Sequence, residues 1–197
     1  MISEDFLPVR VRAGHQPLFH GGEVGPVWRV VRGVVRLDRQ GGEHPLPVWL
    51  ALPGDLIAIE ALCELPYQFT ATALVECEIK ALSHPTPPER AMLLQEALLQ
   101  QQRRGQEMAR LRTGQVAERL AWLMNLMGLP WQGLERGDSQ LAEAVRLGLP
   151  TLRDIALVID AKTETVCRAL AQLLPPRPPR PSAAAQRWKP SLSQVQA

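Results

Sequence analysis

The chain has 197 residues, 46% of them hydrophobic, and a formal net charge of +2 at pH 7. That length holds one large domain or two small ones, each with its own core, and no stretch reaches the roughly 18 uninterrupted apolar residues of a membrane span. The 3 cysteines, Cys63, Cys77 and Cys167, are odd in number and widely spaced, which speaks against a disulfide framework or a CxxC metal knot.

The N-terminus, MISEDFLPVRVRAG, carries acids early and no apolar run, so it does not read as a signal peptide. The expected location is cytoplasmic, with no membrane partner. Residues 1–86 then read as β structure. Short apolar, β-branched segments run from Val27 to Val31, from Val34 to Leu37, from Pro47 to Leu52 and from Phe69 to Val75, the last leading toward Cys77. Turn signals such as Arg32-Gly33 and Pro53-Gly54-Asp55 separate them at the spacing of a sandwich or barrel.

Pro85-Thr-Pro-Pro88 closes this pattern, and strong helix formers follow from Glu89. Leu94, Leu98, Gln101, Gly105, Met108 and Arg112 recur at alternating spacings of four and three, the pattern of a coiled-coil seam. The spacing predicts a helix over 87–113 that pairs with a second copy of the chain. A further helix is expected from about Gly114, with Val116, Leu120, Leu123 and Met127 on one apolar stripe. Gly128-Leu-Pro130 ends it, and residues 129–148 read as a loop-like connection.

Residues 151–173 read TLRDIALVIDAKTETVCRALAQL. Thr151 with Asp154 three residues on predicts a helix start. Ile155, Ala156 and Ile159 share a face, Asp160-Ala-Lys162 breaks the helix, and Thr163 is expected to cap a second one with Val166, Ala169, Leu170 and Leu173 facing inward. Two short helices joined by a tight turn form a helix-turn-helix, whose second helix enters the major groove. Its outward residues include Glu164 and Arg168, four apart and so on one face. A guanidinium donates two bonds to guanine O6 and N7, and a carboxylate accepts from cytosine N4, so the pair suits a G·C step. A basic flank follows, with Arg177, Arg180, Arg187 and Lys189.

This segment resembles the helix-turn-helix of the CRP/FNR family of transcription regulators, whose recognition helix carries E-T-[VI]-[SG]-R; here the run is Glu164-Thr165-Val166-Cys167-Arg168. The resemblance extends upstream in order. Pro53-Gly54-Asp55 and the residues after it are similar to the family's P-G-D segment, Ala73 to Ile79 to the strand before the dimer helix, and Arg112 to Leu123 to the helix after it. It implies an α+β protein with an N-terminal β-roll, a cupin-like jelly roll, over 1–86. A dimerisation helix over 87–113 and a winged-helix-type DNA-binding domain over 114–197 would follow. It implies DNA contacts from Arg153, Lys162, Thr163, Glu164, Thr165, Cys167 and Arg168, and dimer contacts from Leu94, Leu98, Gln101, Gly105 and Met108. The implied partners are double-stranded DNA with an inverted repeat like TTGA-N6-TCAA, a second copy of the chain, and RNA polymerase.

The chain departs from the family at several points. Asp160 stands where relatives carry Gly; Asp tolerates the left-handed conformation better than most residues. The run Pro175 to Pro181 replaces the usual glycine-containing wing, and proline is poorly tolerated in a sheet, so an extended arm is expected, with Gln186 to Lys189 as a remnant strand. The effector pocket would be lined by Glu60, Tyr67, Phe69 and Thr70. Cyclic-nucleotide members carry an Arg phosphate clamp, and Tyr67 to Ala71 contains none. Iron–sulfur members carry an N-terminal cysteine cluster, and no cysteine precedes Cys63. Haem is disfavoured by Ala58 and Glu60 at the ligand region. No catalytic residue and no cofactor is assigned. A cupin-type metal enzyme is the rival from another class, but His15, His20, His44 and His84 form no H-x-H pattern. The other rival is a sensor or protein-interaction module with weakened DNA binding.

Overall fold

The computed structural model describes residues 9–11, 17–39, 45–82, 85–135 and 138–176. The proline-rich arm beyond Pro176, with Arg177, Arg180 and the Gln186–Lys189 run, lies outside the described residues, as do His15, His44 and His84.

Among the described residues, the N-terminal part folds as seven strands: β1 (Val9–Val11), β2 (Trp28–Arg32), β3 (Val35–Arg39), β4 (Leu46–Ala51), β5 (Leu56–Ile57), β6 (Thr70–Ala73) and β7 (Cys77–Ala81). They form a four-stranded sheet in the order β1-β7-β2-β5 and a three-stranded sheet in the order β4-β3-β6, with antiparallel pairing throughout. The two sheets close over one apolar interior that includes Phe19, Val30, Val35, Leu37, Tyr67, Phe69 and Ile79. This is the expected β-roll. The turn between β2 and β3 requires glycine: Gly33 has φ +90°, and a Cβ there would stand 2.5 Å from the Glu76 carbonyl oxygen and 2.6 Å from Cys77 Sγ.

The three-stranded sheet is covered on both faces. Val35 pairs with Ala51 and Ala73, and these face the roll interior. One residue on, Arg36 pairs with Leu50 and Thr72. Val34, Leu50, Leu52 and Leu74 pack instead into a cluster with Leu111, Leu120, Leu123, Ile155, Ile159 and Val166 from the helical part. The period of two along β3 thus sends Val35 and Leu37 to the roll interior and turns Arg36 and Asp38 to the opposite face.

Five helices follow among the described residues: α1 (Pro87–Arg112), α2 (Val116–Leu126), α3 (Ser139–Gly148), α4 (Leu152–Val158) and α5 (Thr163–Leu173). α1 opens on a capping box between Thr86 and Glu89 and has proline in its first turn. Gly114, at φ +86°, breaks the chain between α1 and α2, and Gln115 with Glu118 forms the next capping box. The loop expected over 129–148 is corrected: α3 occupies its second half. Its apolar stripe is short, since only Ala142 and Val145 are fully buried, and Gly128, Pro130 and Gly133 before it mask the periodicity.

Candidate nucleic-acid interface

α4 and α5 form the two-helix unit anticipated from the sequence. Thr151 caps α4: its hydroxyl oxygen accepts from the Asp154 backbone N–H at 3.1 Å and its hydroxyl donates to the Asp154 carboxylate at 2.6 Å. The turn runs through Asp160 at φ +50°, so this aspartate adopts the left-handed conformation. Beneath α5, Val166 and Ala169 are buried together with Ile155, Val158 and Ile159, which fixes the angle between the helices. One detail differs from expectation. Thr163 is the first helical residue of α5, and Lys162 holds the cap position without a side-chain cap bond.

The unit is tied to the rest of the chain by Arg119. Its guanidinium donates to the Gly114 carbonyl oxygen at 2.9 and 2.7 Å, and also to the Ile159 and Asp160 carbonyls at 3.1 and 3.3 Å. One side chain therefore spans the α1–α2 break and the α4–α5 turn. Arg110 reinforces the α1–α2 junction, with its guanidinium 3.6 Å from the Trp122 ring centroid. The sequence pattern placed Arg119 inside the family-like helix without showing its partners, because those are backbone oxygens set by the tertiary fold.

α5 presents Lys162, Thr163, Glu164, Cys167 and Arg168 to solvent, and Thr165 is half-buried at its edge. Arg153 on α4 is also exposed. Glu164 and Arg168 share a face but make no ion pair with each other or with any described residue, so their polar atoms are available to a partner. The N-terminal turn of α5, where backbone N–H groups lack helical acceptors, opens onto the same surface.

α1 has two unlike faces. On one, Glu96 accepts from Arg29 at 2.6 and 3.0 Å. Gln100 pairs with the Leu56 backbone, accepting at 2.7 Å and donating at 2.8 Å. Arg104 donates to both oxygens of Asp55 at 2.6 and 3.1 Å and also pairs with Glu107. Asp55, 2% exposed, further accepts from the Leu52 N–H at 2.7 Å. On the other face Ala91, Gln95, Leu98, Gln102, Gly105 and Ala109 are all exposed; they are uncharged and recur at alternating spacings of four and three. The sequence-predicted seam shares Leu98 and Gly105 with this stripe. Leu94 is exposed beside it, Gln101 is half-buried, and Met108 is corrected: it is buried in the chain's own core with Leu111 and Leu120.

The four residues expected to line an effector pocket do not share an open cavity. Tyr67 donates to the Pro26 carbonyl at 2.8 Å with its ring 4.5 Å from that of Phe19. Thr70 Oγ1 accepts from the Gly21 N–H at 3.1 Å. Glu60 and Phe69 border a cavity of about 10 Å³ with Leu37, Trp49 and Ile57, against roughly 300–1,000 Å³ for a typical ligand site. Burial pushes the Glu60 carboxyl above its ordinary pKa. Among the described residues no three His, Cys, Asp or Glu converge as metal ligands, and no helix is long and apolar enough to cross a membrane.

Neither a family model nor a curated protein matches the sequence. Solved structures do. A CRP-family transcriptional regulator from Thermus thermophilus superposes with a TM-score of 0.60 at 24% identity, over 84% of this chain and 83% of that one. A CRP/FNR-family regulator from the same organism gives 0.55 at 24% identity, covering 85% of each chain. The c-di-GMP-responsive global regulator of Xanthomonas campestris gives 0.55 at 14% identity, covering 86% of each. The chain is therefore CRP/FNR-like in fold.

Proposed function

We propose that this chain is a sequence-specific transcription regulator of the CRP/FNR family, not an enzyme, which binds an inverted repeat of TGA-like half-sites as a homodimer. The observation that carries the reading is α5. A capped, well-buried two-helix unit holds Glu164 and Arg168 side by side on an exposed face with no partner among the described residues. Arg168 would donate to guanine O6 and N7 in the major groove, and Glu164 would accept from cytosine N4. Arg153, Lys162 and Thr163 lie where phosphates would flank the groove, and the N-terminal turn of α5 adds its backbone donors. Cys167 replaces the usual hydroxyl or glycine, and a thiol is a weaker hydrogen-bond partner.

The second copy would pack along the uncharged stripe of α1 from Ala91 to Ala109, setting two α5 helices one turn of DNA apart. RNA polymerase is the further partner of a regulator of this kind. The test is affinity for duplexes carrying TTGA-N6-TCAA, measured by fluorescence anisotropy with each half-site base pair changed in turn. Arg168→Ala should weaken binding by about 1–3 kcal/mol and flatten the preference at one base pair. A uniform loss at every position would assign Arg168 to phosphate contact and remove the base-reading role.

A further inference from the structure

The outer face of the three-stranded sheet holds a charge where apolar packing alone would serve. Arg36 is 6% exposed and Asp38 3%. The Arg36 Nε donates to the two Asp38 oxygens at 2.8 and 3.0 Å, and its Nη1 donates to Asp154 at 2.8 Å across 118 residues of sequence. Asp154 is the residue whose backbone and carboxylate complete the Thr151 cap of α4. One guanidinium thus joins the roll to the first helix of the DNA-binding unit.

We propose that Arg36 is a positioning residue: through Asp154 it sets where α4, and with it α5, stands relative to the roll and the dimer helix. The proposal rests on the DNA-binding reading for its consequence, but its structural part stands alone. Three observations support it. Apart from Arg112 at the end of α1, which donates to the Pro47 carbonyl at 2.6 Å, the other contact at this seam is apolar, between Val34, Leu50, Leu52 and Leu74 and the helical core; apolar contact is non-directional and tolerates sliding, whereas a guanidinium bonded on two sides does not. Buried ion pairs add little net stability over apolar side chains of the same shape, and fixing register is their best-attested use. The seam is also incompletely closed. Between the Gly33 turn and the helical part lies a cleft of about 510 Å³ bordered by Gly33, Val34, Val75, Met127, Pro150 and Thr151. The segment from α2 to α5 therefore has open space on one side into which it can shift once the ion pair is lost.

Native cysteines provide the readout. Cys63 on the roll and Cys167 on α5 are exposed, and Cys77 is buried, so spin labels on the full-length protein report the distance between the two parts. Labelled chains are diluted with unlabelled ones to isolate distances within one protomer. The wild type should give one narrow distribution. Asp154→Asn and Arg36→Gln should broaden and shift it, and Asp154→Glu should restore part of the narrow population. With unlabelled protein, Arg36→Gln should lower affinity for the inverted repeat about ten-fold, a usual size for coupling between sites, and leave binding to a duplex with a single half-site unchanged. An unaltered distance distribution in both variants overturns the proposal, as does an equal loss on single and paired half-sites. If the wild type prefers no DNA sequence, the functional reading fails while the distances still decide the role of Arg36.

Discussion

Two joints hold the helical part to the roll, and they are built differently. At the first, α1 lies on the segment Gly54–Ile57 through several bonds in a row: Arg29 with Glu96, Gln100 with the Leu56 backbone, and Arg104 with Asp55. These anchors sit four residues apart on one helix face, so each supports the next. At the second, the C-terminal unit meets the outer sheet face through apolar contact and one bridging guanidinium, Arg36, with a cleft open at the Gly33–Val34 end of the same joint. The first joint makes roll and long helix one body. Within the helical part Arg119 and the shared apolar core hold α4 and α5, but the Arg36–Asp154 pair is the ion pair that joins the described residues of the roll to α4, so a change there should shift α4 and α5 relative to the roll more than it shifts α1.

The contrast breaks most severely at Asp55. Asp55→Ala would leave Arg104 buried without its bidentate partner, and loss of one member of a buried pair costs about 3–5 kcal/mol. The urea midpoint of the purified protein should fall accordingly, and a shift close to zero would show that α1 does not depend on this anchor. Gly33→Ala comes next. Its positive φ and the close Glu76 carbonyl together predict a loss of about 1–3 kcal/mol, read as a lower thermal midpoint. Thr151→Ala removes the α4 cap next to the second joint; about 1 kcal/mol is expected, with faster hydrogen exchange confined to the first turn of α4. The smallest effect concerns pH. Burial raises the Asp38 carboxyl above its ordinary pKa, against the opposing pull of Arg36. Its proton is therefore held more tightly folded than unfolded. This contribution is fully present below the unfolded pKa and is lost as pH rises through the folded one. Asp38→Asn should flatten the stability–pH curve just above the ordinary carboxylate range, and an identical slope in both proteins would show that Asp38 does not titrate there.

Much of this was legible in the sequence where the signal is local. The Thr151–Asp154 cap, the left-handed Asp160 and the inward set Val166, Ala169, Leu170 and Leu173 follow from spacing and residue type alone. The strands of the roll follow from β-branched runs and glycine turns, although the two-residue β5 and the edge strand β1 are too short to show periodicity. The joints were not legible. Val35-Arg36-Leu37-Asp38 alternates like a strand with a wet outer face, and nothing nearby reveals that residues more than a hundred positions later cover it. The α1 seam fell between the two cases: its alternating spacing was readable, but a helix with one polar face anchored and one uncharged face free offers two registers, and Met108 belongs to the buried one.

The central claim, that the paired α5 helices read an inverted repeat, is tested most directly by titrating the wild-type protein against a TTGA-N6-TCAA duplex and a scrambled duplex of equal composition at several salt concentrations. A preference of at least about 10³-fold for the repeat, with both affinities falling linearly in log salt, is the expected result. Equal affinity for the two duplexes, or no retention of either at low salt, would contradict it.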